Sequence, residues 1–333
     1  MRIARKPPLV LLGAALALTA CGGSGAGPGT EPTADTVESA AACGAPAPAA
    51  DRPGVGDGTF PVTLTGALGE VTLDRAPERI VSLSPSHTEM LFAIGAGDLV
   101  EAADEYSDHP AEAPTTDLSG FTPNVEAIAG YDPDLVVLAD SAADTAPQLE
   151  AVGIPVLTIG AAADLEDVYA QIRLLGDATG LPEEADTEAD RVETAFTEAV
   201  ETVCSEVGDH GLTFYQELDD TLYSATSDTF VGQVYSAFGL VNIADGADDG
   251  TTGGYPQLSP EFVVQENPDL IFLSYGDEAT VSAVAERPAF DTVAAVGNGG
   301  VVLLDPDVAS RWGPRVVDFA EEVGDAVLAS ADG

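Results

Sequence analysis

The sequence predicts an α/β protein of two lobes, each built on a parallel sheet, joined by one long α-helix. Three observations carry that expectation. Within residues 182–207 the apolar residues Ala185, Ala189, Val192, Phe196, Ala199, Val203 and Val207 recur in steps of three and four. That is one stripe of an amphipathic helix whose other faces hold carboxylates. On both sides of it, short apolar runs alternate with helical patterns, the grammar of a parallel sheet covered by helices. Finally, NVEAIAGYDPDLVVL (124–138) aligns without a gap with SPEFVVQENPDLIFL (259–273). Glu126 matches Glu261, Pro133 matches Pro268 and Asp134 matches Asp269. A helix, a Pro-Asp turn and a buried strand thus recur on either side of the long helix, which reads as a strut between lobes. At ~1.5 Å per residue it reaches roughly 40 Å.

The first 20 residues form a signal peptide, with a basic head (Arg2, Arg5, Lys6), an apolar run and small residues before a cysteine. Leu18-Thr19-Ala20-Cys21 resembles a bacterial lipobox, in which Cys21 is lipidated and becomes the mature N-terminus; a plain signal peptide cut nearby is the alternative. Residues 21–58 lack core-forming side chains and read as a flexible tether. That tether holds Cys43, and Cys204 lies near the end of the long helix. Two thiols in an exported chain favour a Cys43–Cys204 disulfide, although spacing alone does not exclude two free thiols.

The N-terminal lobe is expected over residues 59–181. It starts with a strand pair (60–73), followed by strands at 80–84, 99–103, 135–139 and 154–159. Helices are expected at 85–96, 125–129 and 146–152, and from an Asp164 cap to about Ala178. The strut covers 182–207 and the C-terminal lobe 208–333. There, strands are expected at 213–217, 222–225, 270–274 and 301–304, with helices at 230–238, 261–265, 281–286 and 314–328.

Eleven basic against 57 acidic residues give a net charge of −46, and removal of the signal peptide takes away three of the basic ones. Such a surface repels nucleic acid and anionic lipid heads, so neither is an expected partner. No Gly-x-Ser-x-Gly elbow is present, and Gly54-Val-Gly-Asp-Gly58 lies in the tether, not between a strand and a helix. An enzyme, such as a secreted hydrolase, is therefore the weaker class of reading.

Residues 79–95 (RIVSLSPSHTEMLFAIG), 106–110 (YSDHP) and 120–126 resemble the first lobe of the cobalamin and ferric-siderophore binding lipoproteins of ABC importers, the helical-backbone class (class III) of substrate-binding proteins. The resemblance covers roughly residues 77–327 and is looser in the second lobe. It implies two Rossmann-like lobes, no enzymatic activity and no cofactor. It also implies a monomer held at the outer face of the cytoplasmic membrane by its lipid anchor. The chain would capture a ferric siderophore or cobalamin between the lobes and deliver it to an ABC permease dimer with its ATPase. A zinc, manganese or haem binder of the same fold is the alternative. The resemblance further places Glu126 and Glu261, one per lobe, at the surface that meets permease arginines, whereas simple helix capping is the structural alternative.

Ligands of open α/β sheets sit at the carboxyl ends of strands. The candidate ligand residues at those ends are Ser86, His87, Tyr106, Phe121, Tyr215, Tyr223, Tyr275, Arg311, Trp312 and Arg315, rich in the aromatics and hydroxyls that grip a large semi-polar ligand. Arg311 and Arg315 flank the sole Trp, and only eight basic residues remain after cleavage (11 minus three). They are candidates to fork onto an anionic chelate, or else to pair with the chain's own carboxylates. Three histidines, His87, His109 and His210, are too few and too scattered for a zinc site.

Overall fold

The computed structural model describes residues 42–47 and 56–331. A hairpin, β1 (Val62–Gly66) and β2 (Gly69–Leu73), precedes the first lobe. That lobe continues as β3 (Ile80–Leu83), α1 (Pro85–Ala93), β4 (Val100–Asp104), β5 (Thr115–Leu118), α2 (Val125–Ala129) and β6 (Leu135–Ala139). It ends with α3 (Ala146–Ala151), β7 (Val156–Ile159) and α4 (Leu165–Thr179). Helix α5 runs Pro182–Val207, as its apolar stripe predicts. The second lobe holds β8 (Thr213–Glu217), α6 (Phe230–Ala237), β9 (Val241–Asn242), α7 (Pro260–Glu266), β10 (Leu270–Leu273) and α8 (Glu278–Val284). It closes with α9 (Ala294–Asn298), β11 (Val301–Leu303), α10 (Pro306–Ser310) and α11 (Val316–Ala331).

Both main sheets are parallel. Their strand orders are β5-β4-β3-β6-β7 and β11-β10-β8-β9. In each lobe the chain starts at an inner strand, builds to one side, then crosses back to the other. The order therefore reverses between β3 and β6 in lobe one and between β8 and β10 in lobe two.

The matched sequence passages become matched structure. Asp134 accepts a hydrogen bond from Arg79 N at 2.9 Å while its own N–H donates to Arg79 O at 3.0 Å. Asp269 does the same with Thr213, at 2.9 Å in both directions. Each Pro-Asp turn thus brackets the entry of its lobe's first strand. Upstream, Asn124 and Ser259 cap α2 and α7 through Ala127 N and Phe262 N.

One apolar core runs through α4, α5 and α11 and joins both lobes; a further cluster lies on the outer face of each sheet. Gly176 allows α4 to press on α5, since a Cβ there would sit 2.3 Å from that of Ala185. Buried Arg173 of α4 meets Asp186 and Asp190 of α5 at 2.8 and 2.9 Å. Along α5, Val200 is buried while Ala199 and Val207 are half-buried, the drift expected of a 3.6-residue period.

Some expectations are corrected. Residues 222–225 form no strand; they make one bridge, Tyr223 with Gln257, because Leu222 takes a left-handed φ of 67° that breaks an extended run. The last helix begins at Val316, two residues after Pro314, and α10 precedes it, capped by the Asp305 carboxylate. Helix α8 starts at Glu278 because Asp277 and Thr280 form a capping box. Nor are all of residues 21–58 loose. Cys43 is bonded to Cys204, Gly44 N donates to Ala237 O at 2.9 Å, and Gly56 N donates to Asp177 at 2.8 Å. The signal peptide and Cys21 lie outside the described residues. Among the described residues, no helix is long and apolar enough to cross a membrane.

Candidate functional site

The reversal between β3 and β6 leaves a crevice at the carboxyl edge of the lobe-one sheet, the place where α/β sheets bind ligands. Ser84, Pro85 and Ser86 line it after β3, and Ala139 and Ser141 after β6. The crevice continues into an open slot of about 460 Å³ between the lobes. One wall is Tyr106 and Phe121, packed edge to face with ring centroids 5.9 Å apart. Both are conspicuously exposed, at 53% and 70%, as aromatics waiting for a large ligand would be. The facing wall is Trp312, with Ser310 and Asp307, from the end of α10 in lobe two.

Asp104, at the end of β4, shapes the first wall. Its carboxylate accepts from Tyr106 N and Ser107 Oγ, each at 2.9 Å. The Ser107 hydroxyl meets Thr88 Oγ1 at 2.9 Å, which in turn donates to Ser82 Oγ at 2.8 Å. Burial pushes the Asp104 pKa up, opposed by those hydrogen bonds and by Arg311. Gly120 lies on the floor, where a Cβ would sit 3.0 Å from Leu83 O.

The two arginines are not free to grip an anion. Arg311 is buried: its Nη1 donates to Glu89 Oε1 at 3.1 Å and Asp108 Oδ1 at 3.0 Å. Its Nη2 donates to Tyr106 O at 2.9 Å and Asp307 Oδ1 at 2.7 Å. Arg315 clamps Glu89 with Nε at 3.0 Å and Nη2 at 2.6 Å. Of the two roles the sequence leaves open, pairing with the chain's own carboxylates is the one seen here, and the reason is physical. A guanidinium taken out of water requires a partner carboxylate, and a chain with 57 acids supplies three here.

Of the ten candidate ligand residues, Ser86, Tyr106, Phe121, Arg311 and Trp312 line the slot. Arg315 stands behind it. His87 is fully buried in the first turn of α1, and burial drives its pKa down to about 4, opposed by the Gln171 side chain. Tyr223 is exposed in lobe two, outside the slot. Tyr215 and Tyr275 both donate to Glu217, which Arg287 also holds with two nitrogens at 2.6 Å. Burial and the Glu217 charge push Tyr275 up to about 12, so its hydroxyl stays protonated and committed. This cluster fills the lobe-two crevice between β8 and β10, the counterpart of the open one in lobe one. His109 lies beside Arg315, and His210 Nε2 meets Phe238 O at 2.8 Å; among the described residues no group of three or more His, Cys, Asp or Glu is placed to hold a metal ion.

Sequence reasoning missed Glu89, Asp104, Asp108 and Asp307. Their one visible signal is position, next to strand ends. A second cavity, of about 470 Å³, lies beside the disulfide among α4, α5 and α6. No residue of a sheet strand lines it, whereas Leu83, Asp104 and Ala139 line the slot, so the slot is the better site. Glu126 and Glu261 are both exposed in the first turns of α2 and α7.

Comparison with known proteins agrees with this geometry. The family model described as periplasmic binding protein matches residues 80–308. An uncharacterized ABC transporter substrate-binding lipoprotein, YvrC of Bacillus subtilis, is 31% identical over 276 residues, covering 80% of this chain and 86% of that protein. A cobalamin-binding protein of Halobacterium salinarum is 32% identical over 274 residues, 78% of this chain and 72% of that one. The crystal structure of the periplasmic vitamin B12 binding protein BtuF of Vibrio cholerae has the same fold, with a TM-score of 0.61 at 24% identity over 77% of this chain and 99% of that chain. The chain belongs to the periplasmic binding protein family, as a substrate-binding protein of the ABC-importer type.

Proposed function

We propose that the protein captures a cobalamin-type corrinoid in the slot and hands it to an ABC permease. One observation carries the reading: an aromatic slot whose nearby cations, among the described residues, are already paired with carboxylates. Arg311 and Arg315 face Glu89, Asp108 and Asp307, and Asp104 adds a fourth carboxylate. Two positive charges against four acids disfavour an anionic catecholate chelate, whereas the flat, amide-rimmed face of a corrinoid needs apolar walls and neutral partners. The cobalamin-binding relative supports the same ligand class. Committed tyrosine hydroxyls at Tyr215 and Tyr275 disfavour a phenolate-ligated iron or haem. A Trp312 fluorescence titration tests the reading: saturable quenching by cyanocobalamin is expected, with ferric tris-catecholates silent. Saturation by a tris-catecholate and none by cyanocobalamin would reverse it.

The chain is taken to be lipid-anchored through Cys21 at the outer face of the membrane. The YvrC relative is named a lipoprotein, and mass spectrometry of the mature N-terminus tests the acylation. Delivery is assigned to Glu126 and Glu261, exposed at equivalent places in the repeat. Glu126→Lys with Glu261→Lys should leave ligand affinity unchanged and strongly reduce permease-coupled ATP hydrolysis, because like charges would face each other across the docking surface. Normal uptake by the exported double variant would return both residues to capping.

Closure on capture should be small. The lobes share one core through α5, and a helix has no loop residues to absorb large φ/ψ changes. Scattering of free and loaded protein should give nearly equal radii of gyration. A marked contraction would contradict the strut.

A further inference from the structure

The two walls of the slot belong to different lobes, yet polar contacts centred on one buried carboxylate tie them together. Glu89 comes from α1 of lobe one and its side chain is 2% exposed. Arg315 meets it with two parallel hydrogen bonds, the strongest geometry available to an ion pair. Arg311 adds a third contact to Glu89 and reaches Asp108 on the same lobe. Its other nitrogen holds the main-chain carbonyl of Tyr106 at 2.9 Å. Tyr106 is one wall of the slot and Trp312, the residue after Arg311, is the other. The link between walls therefore runs through one hydrogen bond, the Arg311 side chain and one peptide unit. Asp307, four residues before Arg311, fixes the guanidinium from its own side at 2.7 Å.

Charge balance alone would need one carboxylate per arginine. Here the lobe-one partners are placed so that both arginines cross the gap, and the cross-links to Glu89, unlike the one to exposed Asp108, are buried where solvent screens them little. Breaking them would leave α5 and its core to hold the lobes, with freedom to twist at the slot.

We infer that Glu89, Arg311 and Arg315 form an interlobe clasp that sets the width of the aromatic slot before ligand arrives. Glu89 and Arg315 act on capture as positioning residues, without contact with ligand. The gain is preorganisation: walls already at their bound spacing need not be ordered on binding. This rests on the proposed corrinoid reading for its ligand, but not for the clasp itself.

The test uses Trp312, the sole tryptophan, in the ligand-free and loaded protein. Glu89→Gln keeps the shape and removes the charge. Acrylamide quenching of Trp312 in the free variant should rise about twofold, and the Kd for cyanocobalamin should rise roughly tenfold as ordering is deferred to binding. Arg315→Lys, which keeps the charge but loses the two-pronged geometry, should weaken binding about threefold. The Glu89→Gln/Arg315→Gln double variant should bind no worse than the weaker single one, since both changes break one unit. A folded Glu89→Gln protein with parental quenching, or with altered quenching and parental Kd, overturns the clasp as a positioning device. If Glu89→Gln fails to fold, Arg315→Lys decides by the same two readouts. If the parental protein does not bind cyanocobalamin, the corrinoid reading falls, and the clasp stands or falls on the quenching alone.

Discussion

Glu217→Ala is expected to destabilise the fold by about 3–5 kcal/mol, the range for removing one partner of a buried ion pair. The Glu217 side chain is 0% exposed and accepts from four groups: two nitrogens of Arg287 and the hydroxyls of Tyr215 and Tyr275. Truncation strands the guanidinium and both phenols at the end of β8. Because Arg287 also stacks over Phe290, with its guanidinium carbon 5.3 Å from the ring centroid, it has little freedom to swing out to water. Glu217→Gln retains one acceptor and should cost clearly less. Urea unfolding of the three proteins checks the order; a Glu217→Ala variant within 1 kcal/mol of the parent would mean that the cluster behaves as a solvated surface pair.

That cluster also explains an asymmetry between lobes that share a plan. Both sheets reverse strand order beside their first strand, so both have a crevice there. In lobe one the crevice is lined by small residues, Ser84, Ser86 and Ser141, and stays open. In lobe two, Glu217 and Arg287 fill it with the protein's own charges. On the proposed reading, lobe one supplies most of the slot's lining, while lobe two contributes Trp312 and the arginines that fasten it.

Much of the fold was legible because its signals are local. The stripe from Ala185 to Val203, Pro182 in the first turn and the repeated Pro-Asp turns each report on a few neighbouring residues. The failures are non-local or conformational. Leu222-Tyr-Ser-Ala reads as a strand, but a single positive φ at Leu222 undoes it. Glu89 and Arg311 are 222 residues apart, and no pattern within either segment announces the pair. Scarcity made the arginines conspicuous, and the sequence left open both a ligand and the chain's own carboxylates as partners; the acids around them take up the guanidinium groups here. His87 looked like a polar group at a helix start, available to ligand. Helix α1, however, buries that face against α4, because it is covered on both sides by the sheet and by the helical layer.

His87 supplies the other large effect. Its ring is fully buried, neither nitrogen makes a hydrogen bond of good geometry, and burial lowers its pKa from 6.5 to about 4. The unfolded chain therefore takes up a proton at this residue first as pH falls. Stability from the neutral ring is fully present above about pH 6.5 and is lost progressively as pH falls through about 4. The difference of 2.5 units corresponds to about 3 kcal/mol. Asp104 and Glu322 work in the opposite direction, since burial raises their carboxyl pKa values and acid then favours the fold. Comparing the parent with His87→Leu removes those contributions, because they are common to both. Between pH 7 and pH 4 the parent should lose about 3 kcal/mol more unfolding free energy than the variant, although the variant starts lower for want of the imidazole's packing. Equal losses in the two proteins would show that the ring is hydrated or hydrogen-bonded in solution and that acid sensitivity arises elsewhere.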